Sequence, residues 1–208
     1  MQITVVTPTI RPAGLEVIQH GLANQTFQDF EWLVEVSIPE KGHDLNAAYN
    51  RMLKRAKGEL IVSVQDFVEM PYDGLEKFWE AYQEYPDTFF TAPLGKKLGE
   101  HVKWDWRETD AEMDWRMWEI DWAAAPLEAL KKIGGFDEAL DEYWSSDNVS
   151  VGHRANLHGY KFKNIKDNKA LVLDHDAFME HPFRKNYNPS FANDRMRSVE
   201  MEEIEIKL

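Results

Sequence analysis

The residues able to do chemistry in this chain fall into four short segments. Val64-Gln65-Asp66-Phe67-Val68-Glu69 places Asp66, with Glu69 nearby, directly after an apolar run. Trp144-Ser145-Ser146-Asp147-Asn148 offers one carboxylate beside one amide. Asp174-His175-Asp176, His181 and the Arg184-Lys185 pair follow the last apolar run. The fourth segment, Trp104 to Trp122, holds five of the eight tryptophans. Carboxylates supply oxygen ligands to a hard cation, or take the proton of a hydroxyl that is otherwise a poor nucleophile. Sugar rings present C–H faces that pack on aromatic planes while their hydroxyls meet carboxylates, so a tryptophan-rich acidic stretch suits a carbohydrate. Each segment also has a plain structural use. Asp66 can cap a turn, Ser-Asp-Asn can cap a helix, a histidine after a strand can serve as a surface hydrogen-bonder, and the tryptophans can form a core under a long loop.

Composition narrows the partners. The 24 Lys and Arg against 37 Asp and Glu leave −13, the reverse of what tracking a nucleic-acid backbone requires. Residues 100–150 carry 14 acidic and 5 basic side chains, a local −9. That stretch is either a solvated acidic surface or a set of carboxylates beside a metal-assisted site or a polyhydroxyl substrate. With no cysteine, a disulfide-built module and a Cys-ligated zinc or iron–sulfur site are excluded. No apolar stretch exceeds strand length, and Met1-Gln2-Ile3-Thr4-Val5-Val6 reads as a first strand rather than a signal peptide. A soluble, cytoplasmic protein is expected.

The elements that must position these groups follow from periodicity. Apolar runs at Ile3–Thr7, Phe30–Val36, Leu60–Val64 and Thr88–Ala92 read as strands. Between them, helices are expected from Pro12 to about Gln25, from an Asp44 N-cap to Gly58, and from Pro71 through Tyr82. Alternating strand and helix of this length predicts α/β architecture, a parallel sheet covered on both faces. Ligands bind beyond the carboxyl ends of such strands, which marks the loops after Thr7, Val36 and Val64. Residues 95–125 carry few regular signals. Beyond them the sequence predicts a short helix at Pro126–Ile133, another from Ser146 to before Gly159, and strands near Lys161–Ile165 and Ala170–Leu173. The Glu-rich end reads as a surface helix or a tail. The organisation is one domain over residues 1–208, with a first half to residue 94, a second half over 95–185 and an extension from 186.

In this order the segments resemble the inverting family 2 glycosyltransferases of the GT-A fold. The similarity rests on Ile3-Thr4-Val5-Val6-Thr7-Pro8-Thr9 with Arg11-Pro12, on Gln25-Thr26-Phe27-Gln28-Asp29-Phe30-Glu31, and on Asn46-Ala47-Ala48-Tyr49-Asn50 followed by Ala56-Lys57-Gly58-Glu59. It continues in Gly134-Gly135-Phe136-Asp137-Glu138, the most specific short match, and in Trp144–Asn148 with Arg154 and Gly159-Tyr160. The resemblance implies a GT-A, mostly parallel nucleotide-binding sheet flanked by helices, with an irregular acceptor side. It implies transfer of a sugar, with inversion, from a nucleotide-diphosphate donor to a hydroxyl on a glycan, protein, lipid-linked sugar or nucleobase. It also implies a divalent cation, Mn²⁺ or Mg²⁺.

The resemblance further implies roles for individual residues. Pro8, Thr9, Arg11, Asn46, Asn50, Gln65 and Arg184 would meet the donor, and Glu35, or Ser37 one register away, its base. Asp66 would hold the cation with His175 and His181. In a gapless match Asn148 takes the place of the catalytic base; an amide cannot accept a proton, so Asp147 is expected to act. Trp104, Trp106, Trp118, Trp122 and Trp144 would line the acceptor. Asp66, read as a loop residue, is expected to be removable at little cost in stability. Two other readings stand beside this one. The site can be a degenerate, non-catalytic sugar- or nucleotide-binding module, or the sheet can serve a nucleotidyltransferase, although the glycine-rich phosphate loop of the latter is missing.

Overall fold

The computed structural model describes residues 1–38, 44–98, 100–108, 113–143, 147–173 and 189–208. In chain order the elements are β1 (Ile3–Thr9), α1 (Leu15–Ala23), β2 (Phe30–Val36), α2 (Leu45–Arg55), β3 (Leu60–Val64), β4 (Val68–Glu69), α3 (Gly74–Glu84) and β5 (Thr88–Thr91). They continue as β6 (Leu94–Leu98), β7 (His101–Trp104), β8 (Trp122–Pro126), α4 (Leu127–Lys132), α5 (Asp147–Leu157), β9 (Lys161–Asn164), β10 (Ala170–Val172) and α6 (Pro189–Glu200).

A six-stranded sheet runs β2-β1-β3-β8-β5-β9. Neighbours β1 and β2, β1 and β3, and β5 and β9 are parallel, whereas β8 runs against both β3 and β5. Alternation along the strands divides the core. Ile3, Val5, Leu60, Val62 and Val64 face Ile18 and Leu22 of α1 and Leu75 and Phe78 of α3. Val6 and Ile61 point the other way, toward Met52 and Leu53 of α2, Leu130 of α4 and Val151 of α5. This is a mixed α/β fold with helices on both faces.

The stretch with weak signals, 95–125, is where expectation and structure part. It forms the β6–β7 hairpin, which joins a second sheet ordered β4-β10-β6-β7, and it ends in β8. Three of the five β8 residues, Trp-Ala-Ala-Ala-Pro, are alanine, a residue depleted in strands. Their pairing on both sides with β3 and β5 overrides that local preference.

Gly134 and Gly135, at φ of 83° and 69°, occupy the left-handed region after α4. A side chain on Gly134 would overlap the backbone carbonyl of Ile206, because the C-terminal segment lies directly on this turn. Arg154 locks the same turn from inside, its Nη1 donating to the carbonyls of Ile133 and Gly135 at 2.5 and 2.7 Å. Asn50 clamps it from α2, accepting from the Phe136 N–H at 2.8 Å and donating to the Phe136 carbonyl at 2.9 Å. Gly134→Ala should therefore cost at least about 1–2 kcal/mol from the backbone conformation alone. Urea unfolding of the variant checks this, with unchanged stability contradicting it.

Candidate functional site

Three strands deliver polar groups to one edge of the sheet. Thr9 ends β1, Gln65 and Asp66 follow β3, and the residues leading into β8 reach the same edge because β8 is antiparallel. The Gln65 N–H donates to the Asp121 carbonyl at 3.0 Å, which ties the two loops together.

Asp66 is buried at 4% exposure, and its carboxylate is fully engaged. Arg11 approaches in a fork, Nε to Oδ2 at 3.1 Å and Nη2 to Oδ1, and the Thr9 hydroxyl also donates to Oδ2. Thr9 Oγ1 in turn accepts the Arg11 N–H at 2.7 Å. The turn before α1 sits so close that a Cβ on Gly14 would overlap the Asp66 carbonyl oxygen. The expectation that Asp66 is a dispensable loop residue is thus corrected, because a buried ion pair losing one partner strands the other charge. Arg11→Ala or Asp66→Ala should cost about 3–5 kcal/mol in urea unfolding. A loss below about 1 kcal/mol would mark a solvated pair.

Other residues expected at the donor take structural roles. Both oxygens of Glu35 are held, by Arg51 Nε at 2.8 Å and Arg55 Nη2 at 2.5 Å, so Glu35 fastens α2 to the edge strand. Asn50 belongs to the clamp on Phe136 and also donates to Glu138 Oε1 at 2.8 Å. Asn46 bonds Asp141, whose carboxylate also accepts the N–H groups of Asn46 and Ala47 at 2.8 and 3.0 Å. Asp44 stands at the N-cap position of α2 as expected, but its side chain pairs with Arg51 and Asp141 supplies the cap hydrogen bonds. Pro8 lies within β1, opposite Glu35. Gln65 donates to the Tyr49 hydroxyl at 2.8 Å, and Tyr49 lies 2.7 Å from Ser63 Oγ.

The tryptophans divide. Trp118 and Trp122 are core residues at 2% and 0% exposure, their indole N–H groups donating to the carbonyls of Phe90 and Asn168. That corrects the expectation that they touch an acceptor. Trp104 packs under Lys169, whose Nζ is 4.8 Å from the ring centroid, and Trp106 is exposed. Trp144, His175, His181, Arg184 and the side chain of Asp147 lie outside the described residues.

Sequence reasoning passed over the groups that surround Asn148. Its Nδ2 donates to the Trp118 carbonyl at 2.9 Å and to Glu119 Oε2 at 3.0 Å. Nearby, buried Arg107 is held by Asp105 and donates to Thr91 Oγ1 at 3.0 Å. The signal was present in Trp118-Glu119-Ile120-Asp121-Trp122, an alternation of apolar and acidic residues that marks the approach to a strand.

Burial governs the carboxyl groups here. It raises Glu119 to about 7, reinforced by Asp121 and Asp105 and opposed by Arg107. Burial also raises Asp121, and it raises Asp141 to about 6 against three hydrogen bonds that favour the anion. Each group binds its proton more tightly folded than unfolded. The resulting stability is complete below the ordinary carboxylate range and is lost as pH rises through about 6 for Asp141 and about 7 for Glu119. Thermal melts should show the melting temperature falling across that window, and Glu119→Gln should flatten its upper part. A rising melting temperature there would contradict the assignment.

Among the described residues no group of three or more His, Asp or Glu is placed to hold a metal ion. Asp66 alone fits a cation only if the other positions are filled by substrate phosphate and water, and only if Arg11 releases it.

No family model and no curated protein matches the sequence. Solved structures do match. Crystalline Staphylococcus aureus TarS 1–349 in complex with UDP-GlcNAc aligns over 100% of this chain and 68% of its own, at a TM-score of 0.70 and 17% identity. TarS 1–349 in complex with UDP aligns over 83% of this chain, at a TM-score of 0.63 and 18% identity. The chain shares the fold of these TarS structures. It spans 60% of TarS 1–349 in that UDP complex and 37% of a longer TarS structure. No helix among the described residues is long and apolar enough to cross a membrane.

Proposed function

We propose that this chain transfers a sugar from a nucleotide-diphosphate donor to a hydroxyl acceptor, as an inverting transferase of GT-A type. The observation that carries the reading is the convergence of Thr9, Arg11, Asp66, Glu119 and Asn148 on the carboxyl edge of a sheet shared with a protein crystallised with UDP-GlcNAc. This edge is where open α/β sheets bind ligands. Arg11 supplies a cation for the diphosphate, and the exposed Trp106 offers an aromatic surface to an acceptor.

A divalent cation is part of the proposal. Bound at Asp66, with His175 and His181 as further candidates, it would stabilise charge on the departing diphosphate. Its arrival requires Arg11 to exchange Asp66 for phosphate, a swap of one charge-assisted fork for another.

Calorimetric titration of UDP-GlcNAc, with Mn²⁺ and with chelator, tests the donor and the cation separately. Binding should tighten at least about tenfold with Mn²⁺, the scale of one charge-assisted hydrogen bond, and Asp66→Asn should remove the increment. Equal affinity in both conditions rejects the cation. A panel of nucleotide sugars assayed for released nucleoside diphosphate tests the activity. Binding without release favours a non-catalytic module, and release of pyrophosphate a nucleotidyltransferase.

A further inference from the structure

We propose that Glu119 is the base that takes the acceptor proton, with Asn148 as the residue that positions it. This rests on the transferase reading above. Sequence resemblance puts the base at the start of α5, where Asn148 stands. An amide has no basic site for a proton, yet the structure shows what it does instead: Asn148 Nδ2 donates to Glu119 Oε2 at 3.0 Å, and is itself aimed by its second bond to the Trp118 carbonyl at 2.9 Å. The carboxylate thus sits one hydrogen bond away from the position where the resemblance would place it.

The backbone of Glu119 is anchored independently. Thr91 Oγ1, at the end of β5, donates to the Glu119 carbonyl at 2.9 Å. Two residues on, the Asp121 carbonyl accepts from Gln65, next to Asp66. Glu119 is therefore fixed between the ends of β3 and β5, on the edge where the donor diphosphate is proposed to lie. One of its oxygens is committed to Asn148. Oε1 accepts no hydrogen bond among the described residues, and the side chain is only partly covered. A base needs that combination: one oxygen to orient it and one to receive the proton.

Its surroundings suit the task. The charged groups facing it are Asp121 and Asp105, which repel its negative form, and Arg107, which favours it. With burial, they bring it to about 7, close to the value at which a base is both ionised and basic enough near neutrality. In the step itself, the acceptor O–H proton passes to Glu119 Oε1 as the acceptor oxygen bonds to the anomeric carbon. The bond from that carbon to the diphosphate oxygen breaks, and its electron pair leaves with the nucleoside diphosphate.

The test uses UDP-GlcNAc as donor and water as acceptor, following UDP release from about pH 5 to 9, with donor affinity measured in parallel. In the wild type the rate should climb with pH and level off above about 7. Glu119→Gln keeps the bond to Asn148, so it should fold and bind UDP-GlcNAc normally, but lose roughly 10²–10⁴-fold in turnover together with the rising limb. Glu119→Asp, which restores a proton acceptor one methylene short, should recover part of the rate. Glu128→Gln, at a solvated carboxylate of α4, should keep the limb and stay within about threefold of wild type. The proposal is overturned if Glu119→Gln retains the limb, or if the limb disappears with Asp147→Asn instead. A wild type that binds UDP-GlcNAc yet releases no UDP at any pH overturns the transferase reading itself, and the assignment of Glu119 falls with it.

Discussion

The reversed direction of β8 is the constraint on which the site depends. Five strands of the main sheet run one way and deliver their carboxyl ends to one edge. A sixth parallel strand would bring only another carboxyl end. Because β8 is antiparallel to both β3 and β5, the residues preceding it arrive at that edge instead, and the Asp121 carbonyl accepts the Gln65 N–H there. Two halves of the chain that are distant in sequence thereby share one surface. Trp122 locks the arrangement, buried edge-on against Phe78 with centroids 4.8 Å apart and donating to the Asn168 carbonyl.

Around that edge, the chain spends its polar residues in two ways. Some are matched charges. Arg11 with Asp66 and Arg107 with Asp105 each bury a guanidinium against a carboxylate, an arrangement that fixes geometry more surely than it adds stability. Others are carboxyl groups left with less than a full counter-charge. Glu119, Asp121 and Asp141 are all raised by burial. The acidity of residues 100–150 is therefore not uniform solvated surface. Asp114 and Glu128 are solvated, whereas Glu119 and Asp121 are drawn toward the sheet by the apolar residues alternating with them.

Much of the frame was legible in the sequence. Phe30–Val36 and Leu60–Val64 are strands with the expected bounds, since β-branched and aromatic runs between turn residues leave little choice. The short helix before Gly134-Gly135 and the helix that stops before Gly159 are likewise where punctuation placed them. What was illegible depends on partners. Nothing local distinguishes an Ala-Ala-Ala strand from a helix; only β3 and β5 on either side decide it. Glu35, Asn50 and Asp66 are polar residues in or beside expected elements, and sequence cannot show that Arg55, Phe136 and Arg11 already hold them. Trp118 and Trp122 were illegible for a similar reason, because they alternate with acids yet face the interior.

The Gly134–Glu138 motif explains why so short a match carried so much of the fold. Its residues do no chemistry at the edge. Asn50 grips Phe136, Tyr49 stacks on the Phe136 ring at 4.4 Å, and Arg195 of α6 pairs with Asp137. Arg154 from α5 fills the turn's carbonyls. One turn thus joins α2, α5 and α6, and through α5 it sets where Asn148 stands relative to Glu119. The motif is part of the scaffold, holding three helices to one turn. On the proposal above, that placement lets an amide at the start of α5 orient a carboxylate on the segment before β8.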